Sequence, residues 1–379
     1  MTAPIRTLLP MAADGVGPSF TCTRLVGGMQ QAGAPVTLAV NRARPSMREI
    51  ARMQVLLPPP LSRLPYRYVS EPASRLLERR YLARLAPGDI AWLWPSVSLE
   101  THEAVHARGN PIVLEGINTR MARAKDVLDA AYDAIDAPPA HGITDERVAE
   151  EEAKIACAET IFAPSHGVEE ALEGSPLEDR FIASSYGVDT AQTLPEPDRG
   201  PQPDTVTFLF CGYLCVRKGG HHLLDIWPRM PANARLRIVG RIEPLIAERY
   251  GDLLNSERVE PVGFTRDVAP HYAQADVFVF PSLEEGDPLV TYEAALHSLP
   301  VVASRPGAGR IGAQTGCARI IEPQDSESFL ETMLELHRDR ELRLHLGRQI
   351  RTHLEPYDWN RVAERRLADL ERWRGGAQA

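Results

Sequence analysis

The chain has 379 residues, with 42 lysines and arginines against 51 aspartates and glutamates, a formal net charge of -9 at pH 7. Single hydrophobic cores rarely serve more than about 250 residues, so this length predicts two domains. The acidic balance speaks against a nucleic-acid partner, which would call for basic charge gathered on the binding domain. Hydrophobic residues at 44% and charged residues at 25% suit a soluble globular protein. The N-terminus has no charged segment followed by an apolar stretch, and no run of 18 apolar residues predicts a membrane span. The expectation is a cytoplasmic protein with at most peripheral contact at an inner membrane. Five cysteines, Cys22, Cys157, Cys211, Cys215 and Cys317, have scattered spacing that matches no zinc site and fits reduced thiols.

Short apolar runs alternate with longer amphipathic stretches, which predicts strand–helix units and parallel sheets. Gly15-Val16-Gly17-Pro18 opens a helix that ends near Gly33, and a strand follows at Val36 to Val40. Between Arg63 and Arg84, the arginines 63, 67, 75, 79, 80 and 84 face only Glu71 and Glu78. That stretch reads as a solvated helix face, with contact to an anionic acceptor or membrane surface as the alternative. Asp89 to Trp94 and Pro111 to Leu114 read as buried strands. Glu146 to Ala158 has helical spacing, and Thr160 to Pro164 is a further strand before Ser165, a candidate helix cap. The proline-rich stretch Leu194 to Pro203 has no regular reading, because proline lacks the amide donor and fixes φ. It belongs to a linker that begins near Gly187. Strands are then predicted at Val206 to Phe210, Leu236 to Gly240, Asp276 to Pro281 and Leu299 to Ser304, with a helix from about Gly220 and long charged helices at the end.

The most informative segment is Pro281-Ser282-Leu283-Glu284-Glu285-Gly286-Asp287-Pro288-Leu289-Val290-Thr291-Tyr292-Glu293. A strand runs into a turn and then a helix, and ligands of open parallel sheets bind at the carboxyl ends of strands. Pro288 suits a first helical position. The amides of Leu289 and Val290 would then be free to face an anion. Glu285 and Glu293 flank that turn, and carboxylates accept paired hydrogen bonds from vicinal hydroxyls. Two hydroxyl-binding acids around a phosphate site describe a sugar nucleotide. Alone, the same two glutamates also fit solvated residues or partners of the helix dipole.

The Glu285–Glu293 spacing resembles the E-x7-E signature of retaining glycosyltransferase family 4, whose fold is GT-B. Phe210 to Gly219, with its Arg217-Lys218-Gly219 turn, resembles the basic loop of that family, and Leu236 to Gly240 its next strand. Val262-Gly263-Phe264, Tyr272 to Ser282, the hinge Tyr186-Gly187-Val188-Asp189 and Tyr357-Asp358-Trp359 resemble its other motifs in order. The resemblance is strong from about Ile182 onward and weak before. It implies two Rossmann-like domains facing each other across a cleft: residues 1–187 binding acceptor, residues 188–356 binding the nucleotide sugar, and residues 357–379 as a helix returning to the first domain.

The resemblance also implies roles. Glu293 would hold ribose hydroxyls, Glu285 hydroxyls of the donor sugar, and Arg217 and Lys218 the leaving diphosphate. Gly212, Gly286, Asp287, Leu289 and Val290 would surround the phosphates or the sugar, Arg241 and Phe264 would border the base, and Gly17 would approach the diphosphate. Two positions depart from the family pattern: Tyr213 stands where an arginine is common, and Asp287-Pro288 where Phe-Gly is common. The second change would place an extra carboxylate near the sugar. Asn118 stands at the approximate place of a frequent histidine, and His102 and His106 lie nearby on a predicted helix. The expected reaction is transfer from a UDP- or GDP-sugar to a hydroxyl of a glycan, lipid-linked or small-molecule acceptor. It would proceed with retention, by a front-face path and without metal or cofactor. A nucleotide-sugar epimerase and a non-catalytic scaffold of the same fold are the alternatives.

Overall fold

The computed structural model describes residues 3–57, 66–191 and 205–376. Contacts divide them into two units: one of residues up to Met121, Thr144–Tyr186 and from Trp359 on, the other of Ala122–Ile143 and Gly187–Asp358. The proline-rich part of the predicted linker, Leu194 to Pro203, lies outside the described residues.

Among the described residues the first unit is built on seven strands: β1 (Ile5–Ala13), β2 (Val36–Ala43), β3 (Met53–Val55), β4 (Ile90–Leu93), β5 (Ile112–Glu115), β6 (Thr160–Ala163) and β7 (Phe181–Ala183). Their order is β3-β2-β1-β4-β5-β6-β7, and every pairing is parallel. Every residue of β4, β5 and β6 is buried, which is why these strands read as unbroken apolar runs rather than alternating ones. Pro18 sits in the first turn of the helix Pro18–Gln31, where its missing amide costs nothing. Ser165 caps the next helix as predicted, its side chain accepting from the Val168 amide.

The arginine-rich stretch falls on the helix Tyr66–Arg84, with Arg63 outside the described residues. Arg75, Arg79, Arg80 and Arg84 are exposed. Arg75 pairs with Glu71 at 2.6 Å, whereas Glu78 turns inward to accept from Ser98 and Thr101. The final helix, Trp359–Gly376, is tied to this unit by a buried ion pair. The Arg366 guanidinium meets both oxygens of Glu115 at 3.0 and 2.8 Å, and Trp92 donates to the same carboxylate at 3.1 Å.

The second unit holds β8 (Val206–Cys211), β9 (Ala234–Val239), β10 (Val259–Gly263), β11 (Val277–Phe280), β12 (Val301–Ala303) and β13 (Arg319–Ile320), again all parallel. Their order is β10-β9-β8-β11-β12-β13. Counted from β8 this is 3-2-1-4-5-6, the doubly wound order of dinucleotide-binding sheets. Phe208, Phe210, Phe278, Phe280 and Trp227 fill the core with almost no exposure. The helix Met121–Asp133 also contributes to it, burying Tyr132 and, just beyond, Ile135. Residues 122–143 therefore pack in the second unit, although the chain on either side belongs to the first.

Candidate active site

In a sheet of this order the strands on either side of β8 connect in opposite directions. The crevice at the carboxyl ends of β8 and β11 is the topological switch point, where such sheets bind ligands. The two loops that leave these ends carry the predicted residues. The β8 loop holds Gly212, Arg217 and Lys218, and the β11 loop holds Glu284, Glu285 and Gly286 before the helix Leu289–Leu296.

The loops are tied to each other by backbone and charge. Leu283 donates its amide to the Arg217 carbonyl at 2.9 Å, and the Ser282 hydroxyl lies 3.3 Å from the same oxygen. Gly219 closes the basic turn with φ +67°, and a Cβ there would stand 1.9 Å from the Pro281 carbonyl oxygen. Only glycine fits that approach. Arg217 donates to the Glu284 carboxylate at 2.9 Å, and the Lys218 ammonium pairs with Glu285 while lying 4.9 Å from the Phe280 ring centre. Glu284 and Glu285 are both buried. Burial works to raise the Glu285 carboxyl, but Lys218 and Arg217 outweigh it and hold the group below its ordinary range. Burial likewise works to lower the Arg217 guanidinium, and Glu285 and Glu284 more than reverse it.

Glu293 lies in the second turn of the Leu289–Leu296 helix and remains partly exposed. Tyr272 donates to its carboxylate at 2.8 Å, and His297 stacks on Tyr272 with ring centres 5.2 Å apart. Desolvation pushes the Glu293 carboxyl up to about 7, against the smaller opposing pull of the Tyr272 hydroxyl. Cys211, at the end of β8, lies in the core beneath the site. Its buried thiol is pushed up to about 12, first by burial and then by the charge of Glu293, while Lys218 draws it down.

Two predictions are revised by this geometry. Pro288 is the residue before the helix rather than its first, with an extended ψ of 117°. The first-turn amides are still those of Leu289 and Val290, two partly exposed residues, and neither amide has a partner in the helix. Asp287 does not present a free carboxylate. One oxygen accepts from the Arg310 amide at 2.8 Å and the other from the Tyr292 hydroxyl at 2.7 Å. The side chain braces the chain where Gly309 adopts φ +60°, and it is 4% exposed.

The remaining candidates are dispersed. Arg241 is exposed after β9, its guanidinium 5.7 Å from the ring centre of Phe264, which is 57% exposed. In the first unit, Gly17 caps the Pro18–Gln31 helix with φ +53°, and Asn118 is exposed in the turn after β5. His102 is buried on the helix Leu99–His106, bonded to the Ser98 carbonyl, and desolvation lowers it to about 4. Those features suit a structural histidine. Glu284 and Tyr272 lie inside the sequence motifs but have no role assigned by them. The adjacent acids of Glu284-Glu285, set opposite adjacent cations, were the available signal.

Residues 205–339 match the family model "Glycosyl transferases group 1". Among curated proteins, a 168-residue stretch is 32% identical to the MMP alpha-(1->4)-mannosyltransferase of Mycolicibacterium hassiacum, covering 41% of this chain and 40% of that protein. A 173-residue stretch is 35% identical to the sulfoquinovosyl transferase SQD2 of Arabidopsis thaliana, covering 42% of this chain and 32% of that one. The matches thus span less than half the length of these curated relatives. Among solved structures, sucrose-phosphate synthase from Thermosynechococcus elongatus superposes with a TM-score of 0.72 at 19% identity, over 99% of this chain and 100% of that one. Anabaena HepE in complex with UDP and glucose does so with 0.68 at 14% identity, over 98% and 100%. WaaG, a glycosyltransferase of lipopolysaccharide biosynthesis, gives 0.66 at 15% identity, over 96% and 98%. The fold is therefore the two-unit α/β architecture called GT-B.

Proposed function

We propose that the protein is a glycosyltransferase that takes a nucleoside diphosphate sugar as donor and binds it at the switch point of the second unit. The observation that carries this reading is one cluster of two cations and three carboxylates at the ends of β8 and β11. Lys218 and Arg217 stand against Glu285 and Glu284, with Glu293 on the helix that follows the same loop. The match of residues 205–339 to the group 1 transferases supports it. So do the names of the relatives, which transfer mannosyl and sulfoquinovosyl groups, and the complex of HepE with UDP and glucose.

In this reading Glu293 accepts from the ribose hydroxyls and Glu285 from hydroxyls of the donor sugar. The Leu289 and Val290 amides and the helix N-terminus face the phosphates. Cleavage of the glycosyl bond builds negative charge on the departing diphosphate. Arg217 and Lys218, once turned to the bound phosphates, would stabilise that charge in the transition state without further reorganisation. In the free protein Lys218 is neutralised by Glu285. On donor binding the ammonium exchanges that carboxylate for phosphate oxygens, while the carboxylate exchanges the ammonium for sugar hydroxyls. We extend the reading to retention of configuration, the leaving diphosphate taking the acceptor proton on the same face, and to turnover without a divalent ion. Activity that persists in excess EDTA, and an α product from an α-linked donor, are the expected results.

The test is calorimetric titration of UDP, GDP and ADP into the wild type and into Glu293→Ala. The expected result is binding of one nucleotide in preference to the others, lost in the variant. Absence of binding by all three would overturn the donor site and favour a fold retained without catalysis.

A further inference from the structure

The β8 loop that carries Arg217 and Lys218 is held from behind by a helix drawn from the first half of the chain. Tyr132, in the last turn of the Met121–Asp133 helix, is 2% exposed and donates its hydroxyl to Glu243 Oε1 at 2.7 Å. The other oxygen of Glu243 accepts the amide of Val216 at 2.9 Å, one residue before Arg217. Glu243 is itself buried at 7% exposure, and its backbone is fixed to the same loop, donating to the Leu214 carbonyl at 2.9 Å. The carbonyl of Ile135, just past the helix, accepts from Arg249 at 2.8 Å. All of these residues belong to the second unit.

A buried carboxylate needs its lone pairs satisfied, and a buried amide needs an acceptor. Here one side chain meets both needs. Tyr132 fixes one oxygen of Glu243 and thereby sets where the other stands. That oxygen sets the height of Val216, and the chain from Val216 to Gly219 has little freedom beyond it. The Lys218 amide donates to Cys215 O, the Gly219 amide to Val216 O, and the Arg217 carbonyl accepts from Leu283. A shift at Val216 is therefore passed to the two cations.

We infer that Tyr132 and Glu243 are positioning residues that place Arg217 and Lys218 for the diphosphate, so that the 122–143 segment is a working part of the donor site. This rests on the donor reading above. The cations would face the outer phosphate, while the nucleoside and its first phosphate are held elsewhere. Loss of positioning should thus weaken a diphosphate more than a monophosphate.

The experiment is calorimetric titration of the full chain with the preferred nucleoside diphosphate and its monophosphate, UDP with UMP or GDP with GMP. In Tyr132→Phe the advantage of the diphosphate should fall by about fivefold, the weight of one ordinary hydrogen bond, with monophosphate affinity within about twofold of wild type. Glu243→Leu, which leaves the Val216 amide unpaired, should lose at least as much. Glu243→Gln should recover most of the diphosphate advantage, since its carbonyl oxygen still accepts from Val216 and its amide donates to the Tyr132 oxygen. A purely structural role would weaken both nucleotides alike, and that result overturns the inference, as does a full diphosphate advantage in Tyr132→Phe. Should Glu243→Leu fail to fold, the Tyr132→Phe and Glu243→Gln pair decides. A wild type that binds no nucleotide overturns the donor reading itself. A wild type that discriminates, with variants that discriminate equally, overturns only the positioning role.

Discussion

Nucleotide affinity should depend on pH through Glu293. The free protein holds this carboxyl at about 7 against an ordinary value of 4.5, because its packing strips water from the charged form. Ribose hydroxyls donate, so they bind the ionised carboxylate. If the nucleotide binds only that form, protonation weakens the apparent affinity about twofold at pH 7 and about elevenfold at pH 6, and hardly at all at pH 8. The phosphates of the ligand titrate in the same region, so the useful quantity is the ratio of dissociation constants, wild type over Glu293→Gln, at each pH. The ligand's own titration is common to both and cancels. The ratio should rise by about tenfold between pH 8 and pH 6. Stability gives the opposite sign. A carboxyl raised above its unfolded value favours the folded state below about pH 4.5 and loses that contribution as pH rises through about 7. The wild-type melting temperature should therefore decline from pH 5 to pH 8 relative to Glu293→Gln when no nucleotide is present. A flat affinity ratio across that range would refute the ribose role, whatever the melting curves do.

Replacing Lys218 by alanine should lower turnover of the identified donor by about a hundredfold or more, because the leaving group loses a fixed cation; normal turnover would remove it from that role. Arg366→Met strands the Glu115 carboxylate in a fully buried site and should cost about 3–5 kcal/mol in chemical denaturation, and a cost below about 1 kcal/mol would contradict the buried pair. Gly219→Ala puts a Cβ against the Pro281 carbonyl at a positive φ and should lower the melting temperature and nucleotide affinity together. Asp287→Ala removes the carboxylate that accepts from the Arg310 amide and the Tyr292 hydroxyl and should cost about 2–4 kcal/mol. Donor-sugar preference should not change in that variant, and a switched preference in a stable protein would return Asp287 to the sugar site.

The strands were legible because parallel sheets covered on both faces demand continuous apolar residues. Asp276 to Pro281 and Val206 to Phe210 announce themselves in that way. The ligand end of the second sheet was legible for a related reason. A turn rich in glycine and proline between a buried strand and a helix has few physical uses, and two acids at fixed spacing narrow them further. Sequence could not say which acids face the cations. Asp287 and Glu285 are two residues apart in one loop, yet one braces the backbone at Gly309 and the other pairs with Lys218. That division follows from where Arg310 and Tyr292 come to rest, on elements whose placement no local pattern records.

The helix Met121–Asp133 marks the sharper limit. Its apolar positions, among them Ala124, Leu128 and Tyr132, state that one face must be buried, but an apolar stripe does not name the surface that buries it. The chain enters this helix from the first unit and returns to the first unit after Ile143, so a linear reading assigns it there. What decides otherwise is Tyr132, whose hydroxyl finds Glu243 more than a hundred residues downstream, together with Ile135 in the core of the second unit. A tyrosine is well suited to such a joint. Its ring fills core volume, and its hydroxyl must still be satisfied, so it fixes orientation as well as burial. The energetic pressure that docks the helix is hydrophobic, while the single polar contact selects the register. That contact in turn holds the amide beside Arg217, so a residue chosen to satisfy packing ends up governing where the two cations stand.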